Sequence, residues 1–353
     1  MKQSVEQIDR NFLAGSSVDG EEIEWYLLPD KRFEIRGLAE AKDGMYYRLP
    51  EDIVDSVNEG VCTLGRHTAG GRIRFATDST AIAYRAQLRY TGSMPHMPLT
   101  GSAGTDLFVD GRSVTTFRPV NDGEEWYEGI AENLPDDMKQ VEMGLPLYNG
   151  LQHICVGVKT GSRVELPKPY TVDRPVVYYG SSITQGGCAS KPGNSYQGFL
   201  SRWLDADQIN LGFSGNGKGE PIMAEYIAGL EMSAFVLDYD YNAPTVEHLA
   251  ATHRPFYETV RKAQPDLPIL LVSRPVRGNF KQEMHEQRRE VIRETWRRAV
   301  ESGDKKVWFV DGQTLFGDAD IYDCTMDGVH PNDLGFYKMA CTLYPVLKEA
   351  LGL

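Results

Sequence analysis

Four short polar segments in the second half of the chain carry the residue types that acyl-group chemistry needs. The first is Gly180-Ser181-Ser182-Ile183-Thr184, where the apolar run Val176-Val177-Tyr178-Tyr179 leads into glycine and two serines. A hydroxyl there becomes a nucleophile once a base takes its proton. Two serines at such a point equally suit the plain task of capping a helix. The second is Asn210-Leu211-Gly212-Phe213-Ser214-Gly215-Asn216-Gly217, whose glycines let a backbone N–H come close to a bound molecule. The third, Asp238-Tyr239-Asp240-Tyr241-Asn242, has the composition of a strand-end turn. Its Asn242 amide is also a donor for developing negative charge. The fourth is Asp327-Gly328-Val329-His330-Pro331-Asn332. A carboxylate three residues before an imidazole can hold one ring nitrogen and leave the other to act as a base. Taken singly, the first three read as well as turns and loops. The fourth, set just before a helical pattern, favours chemistry.

These segments need a scaffold, and the chain changes character near residue 170. Between about 33 and 166 it shows short runs with strand-like alternation, such as Arg72-Ile73-Arg74-Phe75-Ala76 and Ala81-Ile82-Ala83-Tyr84-Arg85-Ala86-Gln87-Leu88. Turn-forming clusters such as Asp110-Gly111 and Asn121-Asp122-Gly123 separate them. Short strands with regular turn signals predict a β-sandwich. The prolines of Glu165-Leu166-Pro167-Lys168-Pro169-Tyr170 mark a stiff connection. Beyond 175 strands alternate with helices: apolar runs at 176–179, 209–211, 234–237, 268–272 and 306–310, and helical stretches near 195–204, 245–264, 282–300 and 334–351. That rhythm predicts a parallel sheet covered by helices on both faces. In such sheets, sites form beyond the carboxyl ends of the strands, where all four polar segments fall. The expected organisation is an N-terminal, jelly-roll-like β-sandwich over 1–166 and a three-layer α/β/α unit over 167–353.

Order and content of the four segments resemble the SGNH/GDSL hydrolase family, named for its Ser, Gly, Asn and His blocks. The resemblance covers about 175–351, and Asp327-Gly328-Val329-His330-Pro331-Asn332-Asp333 is close to the family's last block. It implies Ser182 as nucleophile, His330 as general base and then acid, and Asp327 as the group that orients it. It further implies an oxyanion hole made of the Ser182 N–H, the Gly215 N–H and the Asn242 side chain. The chain departs from the family pattern twice. Ser181 stands where an Asp usually precedes the nucleophile, and Asp240-Tyr241-Asn242-Ala243 replaces the usual Gly-x-Asn-Asp. Both variants resemble a bacterial subgroup with an added N-terminal β domain, and Gly104-Thr105-Asp106-Leu107-Phe108 resembles that domain's GxDLY signature. The common α/β-hydrolase elbow, G-x-S-x-G, fits less well because Thr184 occupies its fifth position.

Composition narrows the partners. The 353 residues are 41% hydrophobic and 25% charged, ordinary for a globular protein. A net charge of −13 disfavours nucleic acid and anionic membrane. A neutral small-molecule or oligosaccharide ester is the expected substrate; oligomerisation is not readable. Five widely spaced cysteines, Cys62, Cys155, Cys188, Cys324 and Cys341, form no CxxC pair, so neither a zinc site nor a disulfide framework is expected. Free thiols, with no signal-peptide-like run in MKQSVEQIDRNFLAG and no stretch of 18 apolar residues, place the expected location in the cytoplasm. No cofactor and no metal is expected. His248 and His253, five apart, do not share a helical face, and Cys188 reads as incidental. Arg274, after the fourth α/β strand, either contacts substrate or pairs with local acids, and Tyr241 is the other candidate substrate contact. Trp126, Tyr127, Tyr239 and Tyr241 either stack on sugar or fill the core. The expected function is hydrolysis of short-acyl esters, acetyl on a sugar. The competing readings are a lipid or thioester acylhydrolase and a non-catalytic carbohydrate-binding protein on the same scaffold.

Overall fold

The computed structural model describes residues 22–39, 45–92, 94–275 and 282–353. Its first part contains ten antiparallel strands: β1 Ile23–Leu27, β2 Glu34–Arg36, β3 Arg72–Thr77, β4 Ile82–Leu88, β5 Thr105–Val109, β6 Arg112–Phe117, β7 Trp126–Ala131, β8 Lys139–Gly144, β9 Leu151–Lys159 and β10 Val164–Glu165. Among the described residues, three short helices, α1 Glu51–Val54, α2 Glu59–Leu64 and α3 Leu99–Ser102, sit in its loops. One sheet has the order β1-β9-β4-β7, the other β10-β3-β8-β5-β6 with β2 beside β3. The period of two read in β4 decides what lies between them. Ile82, Tyr84, Ala86 and Leu88 point into a core shared with Ile73, Phe75, Leu107, Val141 and Val156, while Arg85 points out to Glu128. This is the expected sandwich.

The second part is a five-stranded parallel sheet of β11 Val172–Gly180, β12 Ala206–Gly212, β13 Ala234–Asp238, β14 Ile269–Val272 and β15 Val307–Val310, in the order β12-β11-β13-β14-β15. Its helices are α4 Ser182–Gln185, α5 Tyr196–Leu204, α6 Pro221–Ala228, α7 Val246–Ala263, α8 Gln282–Glu301, α9 Ile321–Cys324 and α10 Asp333–Leu351. Alternation along β11 feeds both faces. Val177 and Tyr179 join the core under α6, α7 and α8. Val176 and Tyr178 join the core under α4, α5 and α10. Polar side chains start the long helices where the sequence places them: Ser195 accepts from Gly198 N at 3.2 Å, Thr245 from His248 N at 3.1 Å and Asn332 from Gly335 N at 3.1 Å. The strand order reverses at β11, and the crevice beyond that reversal is the position where sheets of this kind take ligands.

The two parts are joined by buried polar contacts that sequence periodicity does not reveal. In β3, Ile73 and Phe75 face the sandwich core, so Arg72 and Arg74 face the other way, yet both are buried. Arg72 forms an ion pair with Asp207 on β12 and donates to Gln208 O at 3.0 Å and to the Tyr170 hydroxyl at 3.2 Å. Arg36 reaches the same Asp207 at 3.2 Å. Arg74 lies 3.6 Å from the centre of the Tyr170 ring. Removing Asp207 alone would leave the Arg72 charge buried without its anion. Asp207→Ala is therefore expected to cost about 3–5 kcal/mol of stability, read as a fall in the urea midpoint of the full chain.

Candidate active site

β11 runs buried to Gly180, where the next turn comes too close for any side chain. A Cβ on Gly180 would lie 2.0 Å from Thr184 Oγ1 and 2.4 Å from Asp238 O. The chain then enters α4, and the two serines divide the two tasks that the sequence left open. Ser181 is the N-cap, its Oγ accepting from Ile183 N at 3.2 Å. Ser182 heads the helix, where the ladder leaves the N–H without an intrahelical acceptor. Ser182 Oγ lies 2.9 Å from His330 Nε2. Behind Ser182, Asp238 ties the helices to the sheet by accepting from Tyr196 OH at 3.0 Å and Thr184 Oγ1 at 3.2 Å. Burial pushes the Asp238 carboxyl up to about 7, against these two donors.

His330 stands on a tight loop between α9 and α10. Thr325 pairs with Pro331, and Met326 N donates to His330 O at 2.9 Å. Asp327 grips the loop with both oxygens. Oδ1 accepts from His330 N at 2.8 Å and Val329 N at 3.0 Å, and Oδ2 lies 2.7 Å from His330 Nδ1. With Nδ1–H given to Asp327, Nε2 is left to accept the Ser182 hydroxyl proton. Burial pushes the Asp327 carboxyl up, but the hydrogen bonds from His330 and Val329 outweigh it and hold the group below the usual carboxylate range.

Gly215 and Asn242 also reach the site, in an arrangement that differs from expectation. Gly215 N donates to Asn242 Oδ1 at 3.1 Å. Both Asn242 Nδ2 hydrogens are taken, by Phe213 O at 2.8 Å and Gly217 O at 3.0 Å. Asn242 thus braces the Gly215 loop, and its amide is not held open as an oxyanion donor. The physical reason is local: the buried amide meets Gly215 N–H and Gly217 O, and adds a third bond to Phe213 O, which already accepts from Asn216 N and Gly217 N within the turn.

The candidate substrate contacts are occupied as well. Tyr241 OH donates to Pro275 O at 2.7 Å, and the Arg274 guanidinium sits 5.0 Å over the Tyr241 ring. Arg274 meets His285 through its guanidinium, and its backbone N donates to Asp240 Oδ2 at 3.1 Å. Of the aromatics, Tyr127 is buried in the sandwich core and Tyr239 in the α/β core, so neither is a sugar platform. Trp126 is exposed but stacks on His153 in the sandwich. His253 is buried against Thr295 Oγ1 at 3.0 Å, while His248 Nε2 lies 2.8 Å from Lys218 O. Among the described residues no three His, Cys, Asp or Glu side chains converge as a metal-binding group. Cys188 borders the site with its thiol pushed up to about 11 by burial and then by the Asp327 charge, which leaves it protonated and unreactive at neutral pH.

Several residues of the first part support the site without any motif to announce them. Arg48, 1% exposed, donates to Asn210 O at 3.3 Å and also to Gly212 O, gripping the end of β12. Burial lowers its guanidinium to about 9. Tyr148 OH donates to Ser182 O at 3.3 Å. Gln185 joins both parts, giving Nε2 to Leu147 O at 3.0 Å and accepting from Ser214 N at 3.1 Å. Beside Tyr148 and Ser214 opens a cleft of about 980 Å³ whose walls include Asn58, Glu59, Thr63 and Lys218.

Comparison with known proteins agrees with this layout. The model of the GDSL-like lipase/acylhydrolase family matches residues 173–348, and that of the GxDLY N-terminus of SGNH-hydrolase-type esterases matches 23–164. A search of curated proteins found no match to the chain. Among solved structures, a protein described as a GDSL-like lipase from Bacteroides ovatus is 29% identical with a TM-score of 0.83, covering 94% of this chain and 98% of its own. A salicylyl-acyltransferase from a tetracycline biosynthetic pathway is 23% identical with a TM-score of 0.78 over the same shares. A family two carbohydrate esterase from Clostridium thermocellum, in complex with cellohexaose, is 17% identical with a TM-score of 0.61, covering 81% of this chain and 94% of its own. Two family models matched end to end, over a sandwich followed by a parallel α/β sheet, make the chain a member of the SGNH/GDSL esterase family, in the group whose hydrolase unit follows a GxDLY-type N-terminal unit.

Proposed function

We propose that the chain is a serine esterase that removes short acyl groups, acetyl foremost, from carbohydrate esters. The observation that carries the catalytic part is the unbroken hydrogen-bond chain from Ser182 Oγ through His330 to Asp327. In this reading His330 Nε2 takes the hydroxyl proton as Ser182 Oγ attacks the ester carbonyl. The imidazolium then gives that proton to the departing alkoxide as the ester C–O bond breaks, leaving an acyl-enzyme. Water, deprotonated by His330, attacks the acyl carbon, and the acid leaves as Ser182 recovers its proton. The Ser182 and Gly215 N–H groups face the oxyanion, Gly215 exchanging its bond to Asn242 Oδ1 for the stronger bond to a charged oxygen. Asn242 Nδ2 joins them only by releasing a loop carbonyl.

Two features favour a small acyl group on a polyol. Packing beside the pair is close at Gly187, where a Cβ would lie 2.9 Å from Tyr148 OH and 3.5 Å from His330 Cδ2. The neighbouring cleft, in contrast, is wide and carries side-chain amide, carboxylate, hydroxyl and ammonium groups. Such walls offer hydrogen bonds to a sugar beside the apolar surface of Leu64, Tyr148 and Pro221, the mixture a polyol ring with polar edges and apolar faces can use. On p-nitrophenyl esters from acetate to dodecanoate, kcat/KM is expected to fall at least about tenfold between acetyl and octanoyl, since the tight side admits few methylenes. Acetylated xylose or glucose should be deacetylated. A rise in kcat/KM toward long chains would instead favour a lipid acylhydrolase.

A further inference from the structure

The Gly104-Thr105-Asp106-Leu107-Phe108 signature has a task that neither the sandwich core nor the reaction cycle explains. Leu107 points into the sandwich core. Asp106, on the opposite face of β5, is fully buried against the α/β part. Its Oδ1 accepts from Gly144 N at 3.1 Å on the paired strand β8, and its Oδ2 accepts from Gly193 N at 2.7 Å. Gly193 O in turn accepts from Arg202 Nη1 at 2.8 Å, and the Arg202 guanidinium lies 4.4 Å over the Phe108 ring. One residue of the second part, Gly193, is thus held at both its N–H and its C=O. No side chain fits at Gly193, where a Cβ would come within 2.8 Å of Phe108, Arg202 and Asp106.

The held segment continues to the histidine loop. Ser190 N donates to Asp333 Oδ1 at 2.8 Å, and Asn194 Nδ2 donates to Asp333 Oδ2 at 2.9 Å. Asp333 opens α10, three residues after His330. At its other end the segment joins the nucleophile turn, where Gly187 N donates to Ser182 O at 2.8 Å. Residues 187–194 therefore span from Ser182 to the His330 loop, and Asp106 fixes that span from outside.

We propose that Asp106 is a positioning residue for the reaction, acting through Gly193 and Asn194 on Asp333 to set the Ser182–His330 contact. The proposal rests on the reading of Ser182 and His330 as the catalytic pair. Asp106→Asn keeps the volume but turns an NH2 toward one of two backbone N–H donors, so the segment must shift. A displacement near 1 Å between reacting groups is worth up to about 100-fold in rate.

The test is ester hydrolysis by the full chain carrying Asp106→Asn, Asn194→Ala, or both. Asp106→Asn is expected to lower kcat about 10- to 100-fold with KM within about twofold. Asn194→Ala should lower kcat several-fold, and the double variant should be no worse than Asp106→Asn, because both changes break one relay. Ile82→Val, a core truncation in the same sandwich, should lower the melting temperature and leave kcat alone. Wild-type kcat in folded Asp106→Asn would overturn the proposal, as would effects that multiply in the double variant, or a loss of kcat in Ile82→Val that matches its loss of stability. Should Asp106→Asn fail to fold, Asn194→Ala decides alone, and unchanged kcat there overturns the proposal. Activity retained by Ser182→Ala would overturn the catalytic reading itself; an inactive Ser182→Ala beside wild-type kcat in both relay variants would overturn only the role of Asp106.

Discussion

Ser182→Ala is expected to lower kcat toward esters by about a million-fold while substrate binding persists, the scale at which a serine triad loses its nucleophile. The expectation follows from how little else at the site can take over. Ser181 is adjacent, but its Oγ is bound to Ile183 N as the helix cap, and Cys188 is a buried, protonated thiol. His330→Ala should cost about as much. The double variant should fall no further if Ser182 and His330, 2.9 Å apart, act as one unit, as the proposed mechanism requires. Ser181→Ala supplies the contrast. It removes a cap worth about 1 kcal/mol and keeps the base and nucleophile, so it should melt earlier and still turn over. Steady-state kinetics and labelling with a serine-reactive phosphonate measure both. Multiplicative losses in the Ser182/His330 double variant, or labelling that survives Ser182→Ala, would show that the two residues are not the working pair.

What the sequence made legible, and what it hid, follow from the range of the interactions. The sandwich and the parallel sheet were readable because their signals are local: a period of two in β4, and strand and helix alternating after β11. The contacts among Ser182, His330 and Asp327 were open to expectation because a serine at a strand end and a carboxylate three residues from an imidazole are local patterns too. Which of two serines caps the helix is a matter of where each hydroxyl points, and the sequence left both tasks open. Asn242 shows the same limit. Its type announces a donor, but whether the amide faces a substrate or the loop carbonyls of Phe213 and Gly217 depends on backbone geometry. Likewise nothing in their types tells buried Tyr127 and Tyr239 from exposed Trp126.

The supporting residues of the first part were out of reach for a stronger reason. Arg48 finds its carbonyl acceptors 162 and 164 positions away, and Asp106 holds an amide 87 positions away. A buried arginine or aspartate carries no mark that separates it from a surface one; only the folded contact does. The β domain is therefore more than an appendage. It braces both ends of β12 and the segment that runs from Ser182 to the His330 loop.

The second large effect is expected from Asp327→Asn, and its value lies in what it leaves intact. The amide can keep Oδ1 on His330 N and Val329 N, bonds of 2.8 and 3.0 Å that shape the loop. At the other position an NH2 replaces the oxygen now 2.7 Å from His330 Nδ1. That NH2 donates, so Nδ1 must accept and the ring proton moves to Nε2. Nε2 then presents a hydrogen to the Ser182 hydroxyl when it should take one. A wrong tautomer of this kind costs about 10⁴-fold in kcat, less than loss of the serine because the nucleophile and the backbone donors remain. Acid tolerance gives an independent readout. Asp327 has its folded carboxyl pKa held below the ordinary value, so its contribution to the loop is complete above the ordinary carboxylate range and is lost as pH falls through the depressed value. The uncharged Asn has no such dependence. The variant should therefore melt at a temperature that changes less between pH 6 and pH 3 than that of the parent chain, while its kcat at pH 7 is lower by four orders of magnitude. An unchanged kcat would mean that Asp327 only shapes the loop; a collapsed fold would mean that its charge, and not its shape, holds His330 in place.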